Sequence, residues 1–131
     1  MQLRLVVEAA DFNEALAFYR DALGLAEQAA FQGDNDARVV ILDAGRATLE
    51  LCNTAQKEMI DAVEVGRPAS PRIRVAFEVV DAAGMTTRLV DAGATLIAAP
   101  IETPWRSLNS RLDAPAGLQI TLFQELESTN T

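Results

Sequence analysis

The sequence predicts an α+β domain of two tandem β-α-β-β-β modules. Together they should form one curved, mixed eight-stranded sheet, with a cleft on one face and helices on the outer face. The chain has 131 residues, half of them apolar, which suits a single domain with its own core. Short stretches alternate between apolar and polar residues, as strands with one covered face do. Arg4 and Asp11 recur as Arg74 and Asp81, and such a constant offset of seventy residues marks an internal repeat.

The first module, residues 1–53, opens with a strand and a helix. Asp11 suits the N-cap of that helix, and Gly24 suits the left-handed position that follows it. One face of the strand carries three apolar side chains, Leu3, Leu5 and Val7. We expect the helix to cover this face. Three further strands complete the module, at 26–31, 37–42 and 46–52.

The second module, residues 73–124, repeats this order after a linker of residues 54–72, in which 54–63 has the pattern of a short helix. Asp81 opens the second helix. The buried side of this helix should contain four apolar residues, Ala82, Met85, Leu89 and Ala92. The strands are predicted at 73–80, 94–99, 108–112 and 118–123. The polar tail, 125–131, is expected to fray.

The composition excludes several kinds of function. A net charge of −8 with a single lysine, Lys57, argues against nucleic acid as a partner. The absence of histidine excludes Ser-His-Asp and Cys-His catalysis and any metal site built on imidazole. The single cysteine, Cys52, cannot form an intrachain disulfide, and no stretch resembles a membrane span or a signal peptide. We therefore expect a cytoplasmic protein.

The face of the sheet opposite the helices should line the cleft. Strand alternation assigns to it a set of mostly polar side chains, among them Arg4, Glu50, Cys52, Arg74, Thr121 and Phe123. The repeat makes Arg4 equivalent to Arg74, and Glu50 equivalent to Thr121. The floor of the cleft is therefore predicted to hold two arginines, one carboxylate and one hydroxyl.

Several stretches resemble the vicinal oxygen chelate superfamily, which includes glyoxalase I, extradiol dioxygenases, fosfomycin-resistance proteins and bleomycin-binding proteins. In the first module they are 17–25 (AFYRDALGL) and 47–51 (ATLEL). In the second module they are 89–94 (LVDAGA), 103–105 (TPW) and 113–118 (DAPAGL). The resemblance covers nearly the whole chain outside the linker and the tail. It implies the paired-module fold without indicating one activity.

The resemblance also indicates where a metal would bind. In metal-using members, the first strand of each module brings a ligand, usually histidine, and the last strand brings a carboxylate. On this chain the four positions are Arg4, Glu50, Arg74 and Thr121. Only Glu50 is a ligand type, since arginine is a permanent cation without a lone pair to give, and one carboxylate falls short of a Zn²⁺ site. We therefore predict neither metal nor cofactor at these positions, while a metal held elsewhere by carboxylates alone stays open.

The charged residues of the floor allow two interpretations. In the first, the arginines grip a ligand carboxylate or phosphate in bidentate fashion. In the second, they pair internally, Arg4 with Glu50 or Glu8, and Arg74 with Glu78. Glu50 is likewise either a general base, if burial raises its pKa, or only a salt-bridge partner.

The aromatic residues and the cysteine supply further candidates. Trp105, in a connection after Pro104, either stacks on a planar ligand where the cleft opens or plugs the end of the core. Phe31 and Phe123 are expected in the core or in the lining of the cleft. Cys52 lies on the cleft face, but without a histidine to activate it we do not expect a nucleophile.

Two functions from different classes are compatible with these residues. The first is a metal-free protein that binds and sequesters a small organic molecule. Its ligand-binding residues would be Arg4, Glu50, Arg74, Thr121, Trp105 and Phe123. The alternative is an enzyme of the glyoxalase, dioxygenase or lyase kind that acts on a small anionic or aromatic substrate. It would act either without metal, through Glu50 as the catalytic residue and the arginines, or with an unexpected ion. A closed cleft that leaves only a dimer surface is a third interpretation. The resemblance implies a homodimer, and it leaves open whether the modules pair within one chain or swap between two.

Overall fold

The computed structural model describes residues 1–127 and confirms the predicted α+β architecture. In chain order the strands are β1 (Leu3–Glu8), β2 (Glu27–Gln32), β3 (Arg38–Asp43), β4 (Ala47–Cys52), β5 (Ile73–Glu78), β6 (Thr95–Glu102), β7 (Ser107–Ala114) and β8 (Leu118–Glu125). They form one open, mixed sheet in the order β2-β3-β4-β1-β5-β8-β7-β6. Glu125, predicted in the frayed tail, belongs to β8, and residues 128–131 of that tail lie outside the described residues.

The hairpin of β6 and β7 is longer than the sequence predicted. β6 continues through Pro100 as far as Glu102, with register shifts between Leu96 and Ala98 and between Ala98 and Ile101. Proline ended the predicted strand because it cannot donate to the ladder. β6 is an edge strand, however, and there a proline is tolerated because its nitrogen can face away from the neighbouring strand.

Within residues 1–127, three α-helices accompany the sheet, α1 (Phe12–Leu16), α2 (Thr54–Glu64) and α3 (Ala82–Asp91). α1 and α3 begin where predicted. The carboxylates of Asp11 and Asp81 each accept a hydrogen bond of 3.0 Å from a backbone amide three residues on. These side chains therefore satisfy amides that have no partner within the helix.

α1 continues into a π-helical segment, Ala17–Ala22, which the sequence pattern did not predict. The first module has one residue more between its cap and its closing glycine (11–24) than the second module has (81–93). A π turn carries a hydrogen bond to the fifth residue back, and the amide of Leu23 donates in this way to the carbonyl of Phe18 at 2.9 Å. The extra residue is thus taken up within the helix.

The two modules meet at the centre of the sheet through β1 and β5, which pair antiparallel within one chain. Arg4 lies opposite Ala76. Their equivalents in the repeat, Arg74 and Val6, lie opposite each other as well, so the pairing is the same when the two modules are exchanged. β4 then runs parallel to β1, and β8 runs parallel to β5. The modules are therefore related by an approximate two-fold axis through the middle of this pairing.

α1 and α3 pack on the outer face of the sheet, each over its own module. The core beneath α1 contains Phe12, Leu16, Val40, Leu42 and Leu51, and the core beneath α3 contains Val79, Ala82, Leu112, Ile120 and Leu122. The strand residues of these cores lie mostly outside the central pair of strands. Consequently Leu3 and Leu5, which we expected beneath the first helix, are 37% and 36% exposed, and only Val7 of that face packs against the core.

The buried side of α3 also differs from the prediction at two positions. Ala92 is exposed, whereas Thr86 is buried with its hydroxyl 2.7 Å from that of Ser110 on β7. The hydroxyl of Thr86 also donates to the carbonyl of Ala82 at 2.6 Å. A polar residue is therefore accepted beneath the helix because its hydrogen bonds are made there.

α2 lies across the face of the sheet that the sequence predicted to be open. Its Asp61 and Glu64 are buried, and both accept hydrogen bonds from the guanidinium of Arg111 on β7, at 3.0 and 2.8 Å. The chain after α2 follows the same face, because the side-chain amide of Gln119 donates to the carbonyl of Ala69 at 3.0 Å. The linker therefore covers the cleft, a position that neither its predicted helix nor the loop after it indicated.

Candidate functional site

The floor of the cleft is formed by β4, β1, β5 and β8. Strand register puts Glu50 beside Val6 and Thr121 beside Ala76, in agreement with the equivalence inferred from the repeat. Val6 also lies opposite Arg74, so one row across the sheet contains Glu50, Val6 and Arg74. Side chains at paired positions point to the same face of a sheet. Charges of opposite sign therefore flank the small apolar side chain of Val6.

The Arg74 guanidinium is buried with few partners. The residue is 8% exposed, and its Nη1 donates to the hydroxyl of Thr121 at 2.8 Å. Across residues 1–127, no carboxylate lies within 4.0 Å of its nitrogens, so the pair with Glu78 that the sequence suggested is not formed. Burial is the main cause that lowers the pKa of Arg74, and the positive charge of Arg111 lowers it further. Most of its five N–H groups therefore lack a protein acceptor in the described chain.

Arg4 is held by several groups. Its Nε donates to the side chain of Gln2 at 2.9 Å, and its Nη atoms lie 3.9 Å from Glu50 and 3.6 Å from Glu125. Its guanidinium carbon also lies 4.6 Å from the ring centroid of Phe123, within reach of a cation–π interaction. Of the two interpretations drawn from the sequence, internal pairing fits this arginine.

Glu50 is a partly buried carboxylate. Its side chain is 17% exposed, and within the described part of the chain the one cation closer than 4.0 Å is Arg4, at 3.9 Å. That separation is longer than a hydrogen bond. Burial raises the pKa of Glu50, against the opposing charges of Arg74 and Arg4. A carboxylate with a raised pKa accepts protons closer to neutral pH, which is what a general base requires.

Cys52 follows on the same strand and is buried. Burial, reinforced by the charge of Glu50, raises the pKa of the thiol to about 12. The reactive thiolate is therefore nearly absent at neutral pH. Cys52 instead forms part of an apolar cluster in the floor, together with Val6, Val39, Ala76 and Phe123.

α2 and the segment 65–72, hereafter the cover, close the cleft from the other side. Arg111 is fully buried, and its Nη1 bonds both Asp61, at 3.0 Å, and the hydroxyl of Ser70, at 2.8 Å. Its Nη2 bonds Glu64 at 2.8 Å, and the same carboxylate accepts a bond of 2.9 Å from Asn109. This network attaches the cover to β7.

A narrow pocket remains between the floor and the cover. Its lining includes Val6, Glu50, Cys52 and Arg74 from the floor, and Gln56, Lys57, Ile60 and Arg72 from the cover. The space that the centre of a water molecule can occupy in this pocket is about 10 Å³. The pocket therefore has room for about one water. In this conformation the pocket is therefore too small for an organic molecule.

The residues at the cleft do not fit a divalent metal. Two of the four positions that bring ligands in metal-using relatives carry guanidinium groups, Arg4 and Arg74, and a third carries the neutral hydroxyl of Thr121. In the part of the chain that is described, no three Asp, Glu or Cys side chains cluster closely enough to hold an ion. We therefore derive no chemistry through a metal at this site.

The other predicted site residues lie in different places. Thr121 is buried and accepts a hydrogen bond from the guanidinium of Arg74, while Phe123 is buried in the floor. Trp105 lies in the turn between β6 and β7, is 45% exposed, and is not part of the pocket lining. Phe31 is 62% exposed on the edge strand β2, so the expectation of a core or cleft position is wrong there.

The residues by which the cover is attached were not predicted from the sequence. Asp61 and Glu64 are two carboxylates nearly one helical turn apart, and both are buried. Asn109 and Arg111 alternate on β7, so they share the cleft face. Arginines buried in a protein are usually paired with carboxylates, and this tendency was the signal that could have linked Arg111 on β7 to the acidic residues of the linker helix.

A comparison with protein-family models matches residues 4–123 to the glyoxalase-like domain. The chain belongs to the glyoxalase-like domain family. This membership confirms the relationship to the vicinal oxygen chelate superfamily that the sequence motifs predicted. The matched range includes both modules and the linker, so the floor and the cover of the cleft both lie within the glyoxalase-like domain.

Solved structures share the fold over nearly the whole chain. A hypothetical protein from Bacillus halodurans C-125 has a TM-score of 0.71 at 14% identity, covering 98% of this chain and 96% of its own. A glyoxalase/bleomycin resistance protein/dioxygenase superfamily member from Vibrio splendidus has a TM-score of 0.67 at 15% identity, covering 94% and 97%. Methylmalonyl-CoA epimerase from Mycobacterium tuberculosis has a TM-score of 0.64 at 21% identity, covering 96% and 87%. At these identities the likeness shows the fold and not the activity.

A search of curated proteins found no match to this glyoxalase-like chain. Among its described residues, no helix combines the length and the apolar character needed to cross a membrane.

Proposed function

We propose that this glyoxalase-like protein binds and sequesters a small organic anion in its cleft without a metal, with Arg74 as the anchor. The observation that carries the proposal is the Arg74 guanidinium, which is 8% exposed, lines the pocket and donates to Thr121. A buried cation without a counterion is costly in a folded protein. A ligand carboxylate would supply the missing partner in bidentate geometry.

The surroundings of the pocket support an anionic ligand. Lys57 and Arg72 of the cover line it beside Arg74, in a chain whose net charge is −8. Lys57 also pairs with Glu8 at 3.2 Å. The apolar side chain of Val6 offers a surface for the carbon skeleton of the ligand. Two carboxylates, Glu8 and Glu50, also line the pocket, so its three cations outnumber its carboxylates by one in a chain that is acidic as a whole.

Binding requires the cover to move, because the pocket has room for about one water. In this proposal the structure corresponds to the closed, ligand-free form. The network between Arg111, Asp61 and Glu64 holds that form, and the ligand binds when the cover opens. The expected homodimer and the cytoplasmic location stay predictions.

The test is a binding screen on protein treated with EDTA, using small carboxylates, phosphates and thioesters, with thermal shift followed by calorimetry. We expect Arg74→Met to weaken the binding of a carboxylate hit by about 10- to 100-fold, because bonds to a charged group are lost. Arg88→Met is the matched control, since Arg88 is exposed on α3 outside the cleft. Equal weakening by both variants, or none by either, would contradict the proposal. Mass spectrometry should recover the ligand unchanged.

A second candidate function is proton transfer by Glu50, which is favoured by the raised pKa that burial gives this carboxylate. Some structural neighbours are named methylmalonyl-CoA epimerase. The first reaction to examine is therefore exchange of the proton on a carbon next to a carbonyl group. The measurement is incorporation of deuterium from D₂O next to the carbonyl of a bound acid, followed by NMR. Exchange that Glu50→Gln abolishes would favour the enzyme, and a ligand without exchange would favour the binding protein.

A further inference from the structure

Two opposite charges line the pocket without meeting each other. Glu50 and Arg74 lie on either side of Val6, two strand spacings apart, so their Cα atoms are separated by about 10 Å. In residues 1–127, no nitrogen of Arg74 comes within 4.0 Å of the Glu50 carboxylate. Val6 therefore keeps apart two groups that would pair directly on adjacent strands.

Each of these groups is incompletely satisfied by the described chain. From the side chains of residues 1–127, Arg74 has one hydrogen-bond acceptor, the hydroxyl of Thr121, and Glu50 has no donor, since Arg4 lies 3.9 Å away. Burial raises the pKa of Glu50 and lowers that of Arg74, so the site disfavours both charged forms. An occupant that presents an anion to the guanidinium and a donor to the carboxylate would satisfy both.

Resting on the function proposed above, we infer that the ligand is a small carboxylic acid with a hydroxyl or ammonium group on its second or third carbon. Its carboxylate accepts two N–H bonds from Arg74, and its hydroxyl or ammonium donates to Glu50. Its carbon chain lies on Val6. The single residue between the two charges limits how far apart the two groups of the ligand can be. A simple carboxylate satisfies only Arg74 and leaves Glu50 without a donor.

The experiment compares four acids that differ only in the donor: propionate, lactate, 3-hydroxypropionate and alanine. Metal-free, full-length protein is titrated with each acid, and ¹H–¹⁵N NMR shifts give affinities into the millimolar range. We expect one of the three acids with a donor to bind at least about tenfold more tightly than propionate, because a hydrogen bond to a charged group is gained.

Two variants separate this inference from the function on which it rests. In Glu50→Gln, the acid with the donor should bind less than about threefold more tightly than propionate, since a neutral amide replaces the charged acceptor. Glu102→Gln, an exposed carboxylate on β6, should preserve the advantage. Circular dichroism and thermal unfolding establish that each variant is folded.

The outcomes are distinct. If propionate binds as tightly as the other acids, and Arg74→Met weakens that binding, the inference is overturned and the proposed function stands. A preference for the hydroxy or amino acid that survives in Glu50→Gln also overturns the inference. No binding of any carboxylate, as expected if one water simply bridges the two charges, overturns both.

Discussion

Asp61 makes the cover sensitive to acid. Burial alone would raise its pKa, but the hydroxyl of Ser70, the amides of Ala69 and Ser70, and the guanidinium of Arg111 together hold the pKa of this carboxyl below its usual value. A carboxyl whose pKa is depressed by folding stabilises the protein above its unfolded-state pKa. That stabilisation is lost as the pH falls through the folded-state pKa.

We therefore predict that Asp61→Asn lowers the free energy of unfolding at pH 7 by about 2–4 kcal/mol, because a buried charge network loses its acceptor. The difference from wild type should shrink from about pH 4 downwards, where wild-type Asp61 begins to be protonated in the unfolded chain. Urea unfolding between pH 7 and pH 3 measures it. Asp91→Asn, at an exposed position of α3, serves as the control. A constant difference across that range would refute the linkage.

The two arginines of the floor show what the sequence could and could not predict at this scale. Strand alternation and the repeat placed Arg4 and Arg74 at equivalent positions on one face, as the ladder confirms. Their partners were not predictable, because pairing depends on which side chains reach across the sheet. Arg4 reaches Glu125 at 3.6 Å, beyond the predicted end of β8, whereas Arg74 meets the hydroxyl of Thr121.

At the scale of elements, Arg111 determines how firmly α2 is attached. Its guanidinium is fully buried and bonded to Asp61, Glu64 and Ser70. Removal of one partner from a buried ion pair leaves the other charges uncompensated, which costs about 3–5 kcal/mol. We expect Arg111→Met to destabilise the protein by about that amount, and to speed amide hydrogen exchange in 54–72 more than in the sheet.

Arg106→Met is the control for this prediction. Arg106 also pairs with a carboxylate, Glu102, but both side chains are about half exposed. Exposed pairs contribute about 0–1 kcal/mol. If the two variants behave alike, or if exchange in the Arg111 variant rises evenly throughout the chain, then Arg111 does not attach the cover to β7.

The helices themselves were predictable, and their exact form and position were not. The pattern over 54–63 predicted α2, and Asp11 and Asp81 predicted where α1 and α3 begin. The π-helical segment was missed because a single extra residue leaves the apolar stripe almost unchanged. The position of α2 was missed because the side it buries is polar, and hydrophobic spacing carries no information about such a contact.

At the scale of the whole molecule, the internal repeat is what made the fold predictable. A repeat fixes the order of elements twice, and each copy supports the assignment of the other. The cleft was predictable as a surface, since alternation assigns side chains to a face. Whether the cleft is open or covered was not predictable, because it depends on contacts between Arg111 and a linker about fifty residues away in sequence.

The approximate two-fold axis between β1 and β5 has an evolutionary consequence. A lone ancestral module, paired with a second copy of itself along its first strand, would already have enclosed a cleft, with the same arginine contributed twice. Fusion of two such copies into one chain would free each half to diverge. Glu50 now stands where the other half has Thr121, and Ile41 where the other half has Arg111. The two halves therefore differ within the cleft, while the scaffold keeps its duplicated form.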